Sequence, residues 1–402
     1  MINIALMGHG VVGAGVVELL ETNAESIGRK CGSVVNVKYI LDLKDGSDTS
    51  YQHKFINDFN IILNDDSVTA VVEAMGGLNP AYKFVKALLL AGKSVITPNK
   101  ELVAVHGAEL LQIAKERNIN FLFEASVGGG IPIIRPIFRC MAANEIDEIY
   151  GILNGTTNFI LTKMIREKMS FDVALNLAQE LGYAEADPTA DVDGHDTCRK
   201  ICILASLAFG SHVSPGGIYT EGIRDITLED AQYAQSINYV IKLVGRTVKV
   251  DDKITVAVHP MMIGHDNPLF AVEDVFNAVV VKGSATDEVM FYGKGAGKMP
   301  TASAVVADII DSILHTQRRK DVFWGESKPD YILPQSDSQT AMFIRTNAPE
   351  VDIEKVFGEV QYLAQMKDGE VAFITKKMSE SEILQKLKSL KSEVISTIRV
   401  LD

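Results

Sequence analysis

Residues 2–7 (INIALM) are an apolar run of strand length that leads straight into Gly8-His9-Gly10-Val11-Val12-Gly13. Val16, Val17, Leu19 and Leu20 then recur at helical spacing. A strand, a G-x-G-x-x-G turn and a helix in that order constrain the chain more than any other feature, because they are the first half of a βαβ unit in a parallel sheet. Gly8 permits the tight turn. Gly10 lets backbone amides approach a pyrophosphate at the positive helix end, and Gly13 lets the helix pack close to the strand. The same pattern also suits a glycine-rich turn that holds no ligand.

Strand-like runs at 2–7, 34–41, 69–73, 93–97 and 120–124 alternate with helix-like runs at 11–22, 80–91 and 107–117. Such alternation predicts an α/β, doubly wound parallel sheet over residues 1–130. Residues 131–299 mix strands (146–153, 244–250, 253–259, 275–282) with helices (158–168, 171–180, 195–209, 228–241), which predicts an α+β unit. A long helix is predicted over 300–314. Charges with Gly325, Pro329 and Pro334 make 318–338 read as a linker. The tail, 339–402, reads strand, helix, two hairpin strands, helix, strand. That βαββαβ order is ferredoxin-like and predicts a separate small domain.

A length of 402 residues is enough for two or three domains. A net charge of −13 without a Lys/Arg cluster argues against a nucleic-acid partner. No apolar run reaches membrane-spanning length, and the first strand begins at residue 2, where a signal peptide would stand. Cys31, Cys140, Cys198 and Cys202 lack a metal-site spacing and fit a reduced cytoplasm.

Residues 181–200 (LGYAEADPTADVDGHDTCRK) place Glu185, Asp187, Asp191, Asp193 and Asp196 ahead of Lys200, which opens the apolar helical run ICILASLAF. Asp196 and Lys200 are four apart and share a helix face. One reading is a lysine tuned by burial and a carboxylate for proton transfer; the other is a solvated acidic loop with an ordinary ion pair. Lys100 follows the strand 93–97 in Thr97-Pro98-Asn99-Lys100, at the carboxyl edge where open α/β sheets bind ligands. Glu73-Ala74-Met75-Gly76-Gly77 ends another strand at that edge. Asp42, at the end of the second strand, suits a ribose 2′-hydroxyl and disfavours a 2′-phosphate, although it lies 29 residues after Gly13, beyond the usual ~20. Lys44 nearby suits a phosphate.

Taken together, GHGVVG at 8–13, TPNK at 97–100, EASVGGGIPI at 124–133, NGTTNFI at 154–160, the 181–200 segment and GKGAGKMPTASAVVAD at 293–308 resemble the homoserine dehydrogenase family, over nearly the whole chain. The resemblance implies reversible hydride transfer between L-homoserine and L-aspartate 4-semialdehyde, in threonine, methionine and isoleucine biosynthesis, with NAD or NADP as cofactor. Asp42 tilts that choice toward NAD. The resemblance assigns Lys200 as acid/base and Lys100 as a second active-site lysine, and Asp196 would orient Lys200. Glu185 becomes a substrate ligand, with Asp191 beside it as a candidate for the ammonium. Cofactor contacts fall to Gly8, His9, Gly10, Val11, Val12, Gly13, Asp42, Thr97, Lys100 and Gly297. Backbone carbonyls at Glu124, Val127, Gly129 and Ile131 would hold a monovalent cation such as Na+ or K+; a hinge is the alternative reading of that loop. The helix near 300–317 would complete the nucleotide domain, and 131–299 would carry catalysis and dimerisation. The tail resembles an ACT domain, with a homodimer or homotetramer expected. Asn347-Ala348-Pro349 lacks the glycine that such modules usually place after the first strand, so amino-acid effector binding and a ligand-free oligomerisation role both stay open. With the nucleotide-binding strand at residue 2, no aspartate-kinase segment is expected. Two other classes fit parts of the pattern. A dehydrogenase with a cysteine nucleophile would need a cysteine in reactive context, and a non-catalytic nucleotide and amino-acid sensor would not need both lysines.

Overall fold

A computed structural model describes residues 1–317 and 322–401; residues 318–321 of the expected linker lie outside it. The first sheet contains β1 (Ile2–Met7), β2 (Val35–Leu41), β3 (Phe55–Ile56), β4 (Val68–Glu73), β5 (Ser94–Ile96) and β6 (Phe121–Leu122), in the order β3-β2-β1-β4-β5-β6. Every neighbouring pair is parallel. The strand order reverses between β1 and β4, which opens a crevice at their carboxyl ends.

Glycine shapes the first turn. Gly8 has φ +93°, and a Cβ there would lie 2.6 Å from the Ala74 carbonyl oxygen, so the loop after β4 sits directly on this turn. A Cβ on Gly13 would fall 2.1 Å from the Gly8 oxygen. The helix Val11–Thr22 packs on the sheet and against the late helix Lys298–Leu314. Val16, Val17 and Leu20 meet Ala302, Val305 and Ile309 over Ile4, Leu6, Val72 and Ile96. The two helices approach closely because a Cβ on Gly15 would stand only 3.1 Å from the Ala302 methyl. Thus a segment nearly 300 residues away covers one face of the first sheet.

The second sheet is mixed. It contains β7 (Ile146–Ile152), β8 (Tyr219–Thr220), β9 (Tyr239–Val250), β10 (Lys253–Gly264), β11 (Phe276–Gly283), β12 (Asp287–Lys294), β13 (Gln339–Thr346), β14 (Gln361–Tyr362), β15 (Val371–Ile374), β16 (Met378–Ser379) and β17 (Val394–Leu401). Its path runs β12-β11-β7-β9-β10-β17-β13-β15-β14, with β8 on β10 and β16 on β13. The tail strands therefore extend this sheet. β17 pairs in parallel with β10, matching Met261 to Arg399 and Ile263 to Leu401. Two buried arginines tie the tail down further. Arg345 donates to Asp230 at 2.8 Å and to Glu370 at 2.8 Å; Arg399 donates to Glu380 at 2.9 Å and to Glu221 at 2.7 Å.

Several boundaries differ from the sequence expectation. The helix expected at 107–117 begins at Lys100, capped by the Asn99 side chain, which accepts from the Leu102 amide. The helix expected at 228–241 ends at Ser236, and the strand expected at 244–250 starts at Tyr239, after a turn with Asn238 at φ +60°. The described part of 322–338 is anchored: Trp324 is 1% exposed, packs where a Gly107 Cβ would be 2.5 Å from its ring, and donates its indole N–H to His212. Among the described residues no helix is long and apolar enough to cross a membrane.

Candidate active site

The acidic segment folds back on the helix His195–Phe209. Asp196 and Lys200 sit in its first turns, 3% and 7% exposed. Lys200 Nζ donates to the Leu153 carbonyl at 2.7 Å and to Asp196 Oδ2 at 2.8 Å. Lys100, at the start of its helix, reaches across and pairs with the other oxygen, Oδ1. Asn154 Nδ2 completes the cluster, donating to Asp196 Oδ2 at 2.9 Å and to Asp191 Oδ1 at 2.7 Å. Its own Oδ1 accepts from the Thr157 amide and caps the helix Gly155–Glu167.

The charges in this cluster oppose each other. Burial acts to raise the Asp196 carboxyl, but the Lys200 and Lys100 ammoniums outweigh it and hold it well below the usual carboxylate range. Burial lowers the Lys200 amine; the Asp196 carboxylate resists that shift and Lys100 reinforces it, leaving a net decrease. Asp191 moves up, first through burial and then through the nearby Asp196 charge.

Two cavities meet here. One, about 590 Å³, is lined by Asn154, Thr156, Glu185, Asp191, Asn277 and Lys294, with Gly297 at its rim. The other, about 510 Å³, runs over Gly10, Val11, Val12, Gly76, Gly77 and Val127 at the crevice of the first sheet. Lys100, Lys200, Gly295 and Ala296 line both. A third cavity, about 250 Å³, lies between β9, β10 and residues 333–340 and includes none of these lysines.

The remaining expected site residues fall into distinct places. Gly8 and Gly13 shape the turn, while a Cβ at Gly10 would meet nothing within 4 Å, which leaves the helix N-terminus open for a pyrophosphate. Those backbone positions fit a dinucleotide. Asp42 accepts from the His9 amide at 2.6 Å and from the Lys44 amide at 2.9 Å. The His9 ring contacts Tyr51 OH at 3.0 Å. Thr97 is fully buried; its hydroxyl donates to Glu73 Oε2 at 2.6 Å, and Glu73 Oε1 accepts from the Met75 and Gly76 amides. Thr97 therefore acts on the crevice loop through Glu73. Glu185 is exposed at the mouth of the larger cavity.

The 124–131 segment is a one-turn helix followed by a tight turn. Gly129 has φ +56°, and a Cβ there would lie 2.2 Å from the Gly295 oxygen. Glu124 is buried and its carboxylate accepts from the Ile133, Ile134 and Arg135 amides, with Ile131 N donating to Gly128 O. Backbone oxygen is the donor type that a hard cation takes. Among the described residues no His/Cys/Asp/Glu cluster could hold a metal. Cys198 and Cys202 are buried and line neither cavity beside Lys200.

Sequence reading missed Asn154, Asn277 and Lys294. Asn154 carried a signal, since Asn before Gly-Thr-Thr is an N-cap pattern; Lys294 lay unassigned within the 293–308 motif, and β11 offered no signal for Asn277.

The chain is similar to known proteins along its whole length. Residues 8–124 match the family model "Homoserine dehydrogenase, NAD binding domain", and 132–310 match "Homoserine dehydrogenase". The homoserine dehydrogenase of Bacillus subtilis is 37% identical, over 99% of this chain and 98% of that protein. A homoserine dehydrogenase structure from Thiobacillus denitrificans superposes with a TM-score of 0.92 at 34% identity, covering 100% of this chain and 98% of the other. A hyperthermophilic archaeal homoserine dehydrogenase in complex with NADPH aligns with a TM-score of 0.67 at 29% identity, over 78% of this chain and 98% of that one.

Proposed function

This chain belongs to the homoserine dehydrogenase family, nicotinamide-dependent oxidoreductases of amino-acid biosynthesis, and we propose the following roles for its residues in oxidising L-homoserine to L-aspartate 4-semialdehyde. The observation that carries the reading is that Lys100 and Lys200 stand in the wall common to both cavities. A bound nicotinamide supplies the hydride acceptor. Lys200 manages the proton: its neutral amine takes the proton of the γ-hydroxyl, and in the reverse direction its ammonium returns one to the carbonyl oxygen. Burial brings the amine down from the free-lysine range near ~10.4, which favours the neutral form. Asp196 orients both lysines, and Lys100 keeps the buried carboxylate paired while lowering Lys200. Glu185 and Asp191 take the substrate ammonium. The first turn of the helix Gly155–Glu167, at Gly155 and Thr156, takes the carboxylate with Lys294.

The cofactor preference we propose is NAD, read by Asp42, whose carboxylate is seated against the glycine-turn amide of His9. Carbonyls of Glu124, Val127, Gly129 and Ile131 would hold Na+ or K+ beside the crevice. Residues 1–130 with the helix Lys298–Leu314 serve nucleotide binding, 131–299 catalysis and dimerisation, and 339–402 an ACT-like role. Met290 and Tyr292, 42% and 51% exposed on the outer strand β12, support a homodimer or a homotetramer. Four free thiols fit the reducing cytoplasm.

The test is the initial rate of nicotinamide reduction with L-homoserine and either NAD or NADP. Homoserine-dependent reduction with a higher kcat/KM for NAD is expected. No reduction with either cofactor overturns the reading.

A further inference from the structure

Asn277, the second residue of β11, is 2% exposed, and its Oδ1 is buried without a hydrogen-bond partner. Buried amides are rarely left so, because a buried polar atom without a partner has lost its water and gained nothing in return. The side chain lines the larger cavity together with Glu185, Asp191, Asp196 and Lys200. Two backbone segments make room for it. A Cβ on Gly295 would lie 2.2 Å from Asn277 Nδ2, and one on Gly155 would lie 2.8 Å from the Val275 oxygen and 3.5 Å from Asn277 Oδ1. The fold thus keeps glycine on both sides of one unpartnered amide in the wall of the substrate cavity.

We propose that Asn277 is a substrate-positioning residue whose side-chain oxygen accepts a hydrogen bond from the α-ammonium of the amino-acid substrate. This rests on the reading that the larger cavity binds homoserine. An ammonium has three N–H donors and needs three acceptors when it leaves water. Glu185 and Asp191 supply two, and Asp191 already spends one oxygen on Asn154. Asn277 lines that wall, and a turn of its amide about the Cβ–Cγ bond presents Oδ1, which has no competing partner in the fold, as the third acceptor. The amide holds the substrate end opposite the reacting γ-carbon, so it sets the position of that carbon without touching the proton or the hydride.

The test compares Asn277→Ala and Asn277→Asp with wild type, using homoserine and 4-hydroxybutanoate, the same molecule without the ammonium, the latter as a competitive inhibitor. Wild type must first oxidise homoserine; if it does not, the functional reading and this inference fall together before any variant is made. With that shown, Asn277→Ala should raise the homoserine KM roughly 10- to 100-fold with kcat nearly kept, the effect of losing one hydrogen bond to a charged group. Its inhibition constant for 4-hydroxybutanoate should stay within about twofold of wild type, because that ligand never made the contact. Asn277→Asp, which keeps the acceptor and the shape, should hold the homoserine KM within about threefold. Equal weakening of both ligands by Asn277→Ala would mean a merely structural role and overturns the proposal, as does an unchanged KM. A homoserine KM worse in Asn277→Asp than in Asn277→Ala would mean that the amide donates to the carboxylate, and overturns the ammonium assignment.

Discussion

Replacing Lys200 by methionine removes one ammonium from the centre of the cluster and keeps most of its volume. The structural cost is bounded. Asp196 stays paired with Lys100 and still accepts from Asn154 Nδ2 at 2.9 Å, so no buried carboxylate is left bare. The ~3–5 kcal/mol penalty of an uncompensated buried charge does not arise. What is lost is the partner of the Leu153 carbonyl, now held at 2.7 Å, worth about 1–3 kcal/mol. The variant should therefore fold, with a Tm a few degrees lower. Catalysis should fall much further. A general acid/base contributes roughly 10²- to 10⁴-fold, or about 3–5 kcal/mol of barrier. Steady-state kinetics with homoserine should show that loss in kcat. Cofactor affinity from protein fluorescence should change little, because the pyrophosphate turn at Gly8–Gly13 is built by other elements. A kcat within tenfold of wild type, in a folded variant, refutes the role of Lys200 as proton carrier.

Glu185→Gln should raise the homoserine KM more than it lowers kcat, since the ammonium contact exists in ground and transition states alike; an unchanged KM in steady-state kinetics rejects the assignment. Asp42→Ala should weaken NAD and relatively improve NADP in kcat/KM; a strong NADP preference already present in wild type would mean that Lys44 or another cation reads a 2′-phosphate. Arg345→Ala should destabilise the fold by about 3–5 kcal/mol in urea unfolding, because it leaves Asp230 buried and uncompensated; a loss under about 1 kcal/mol would show that the Arg345 pairs do not tie the tail to the sheet.

The nucleotide half of the fold was legible because its signals are local. The run 2–7, the glycine turn and the helix after it follow one another in sequence, and each shows its own period. The Asp196–Lys200 pair was legible for the same reason, at i,i+4 on one helix. What binds Lys100 to Asp196 is a tertiary contact across almost a hundred residues, and the sequence reading paired Asp196 with Lys200 alone. The tail illustrates the limit most clearly. Its βαββαβ order was readable, but the parallel pairing of β17 with β10 depends on a register that no local pattern encodes. Trp324 shows a missed signal: Gly107, inside a helix, marked a close approach, and the segment read as a linker supplies the ring that fills it.

The most direct test is the pH profile of kcat/KM for homoserine oxidation in wild type and in Lys100→Met. Oxidation needs neutral Lys200, so the rate should rise with pH and level off below the free-lysine range, since burial lowers the amine. Lys100 adds to that lowering, so its removal should keep the rising limb and move its midpoint to higher pH. A limb that vanishes in Lys100→Met would make Lys100 the base, and a limb that does not move would show that the two lysines do not share one field around Asp196.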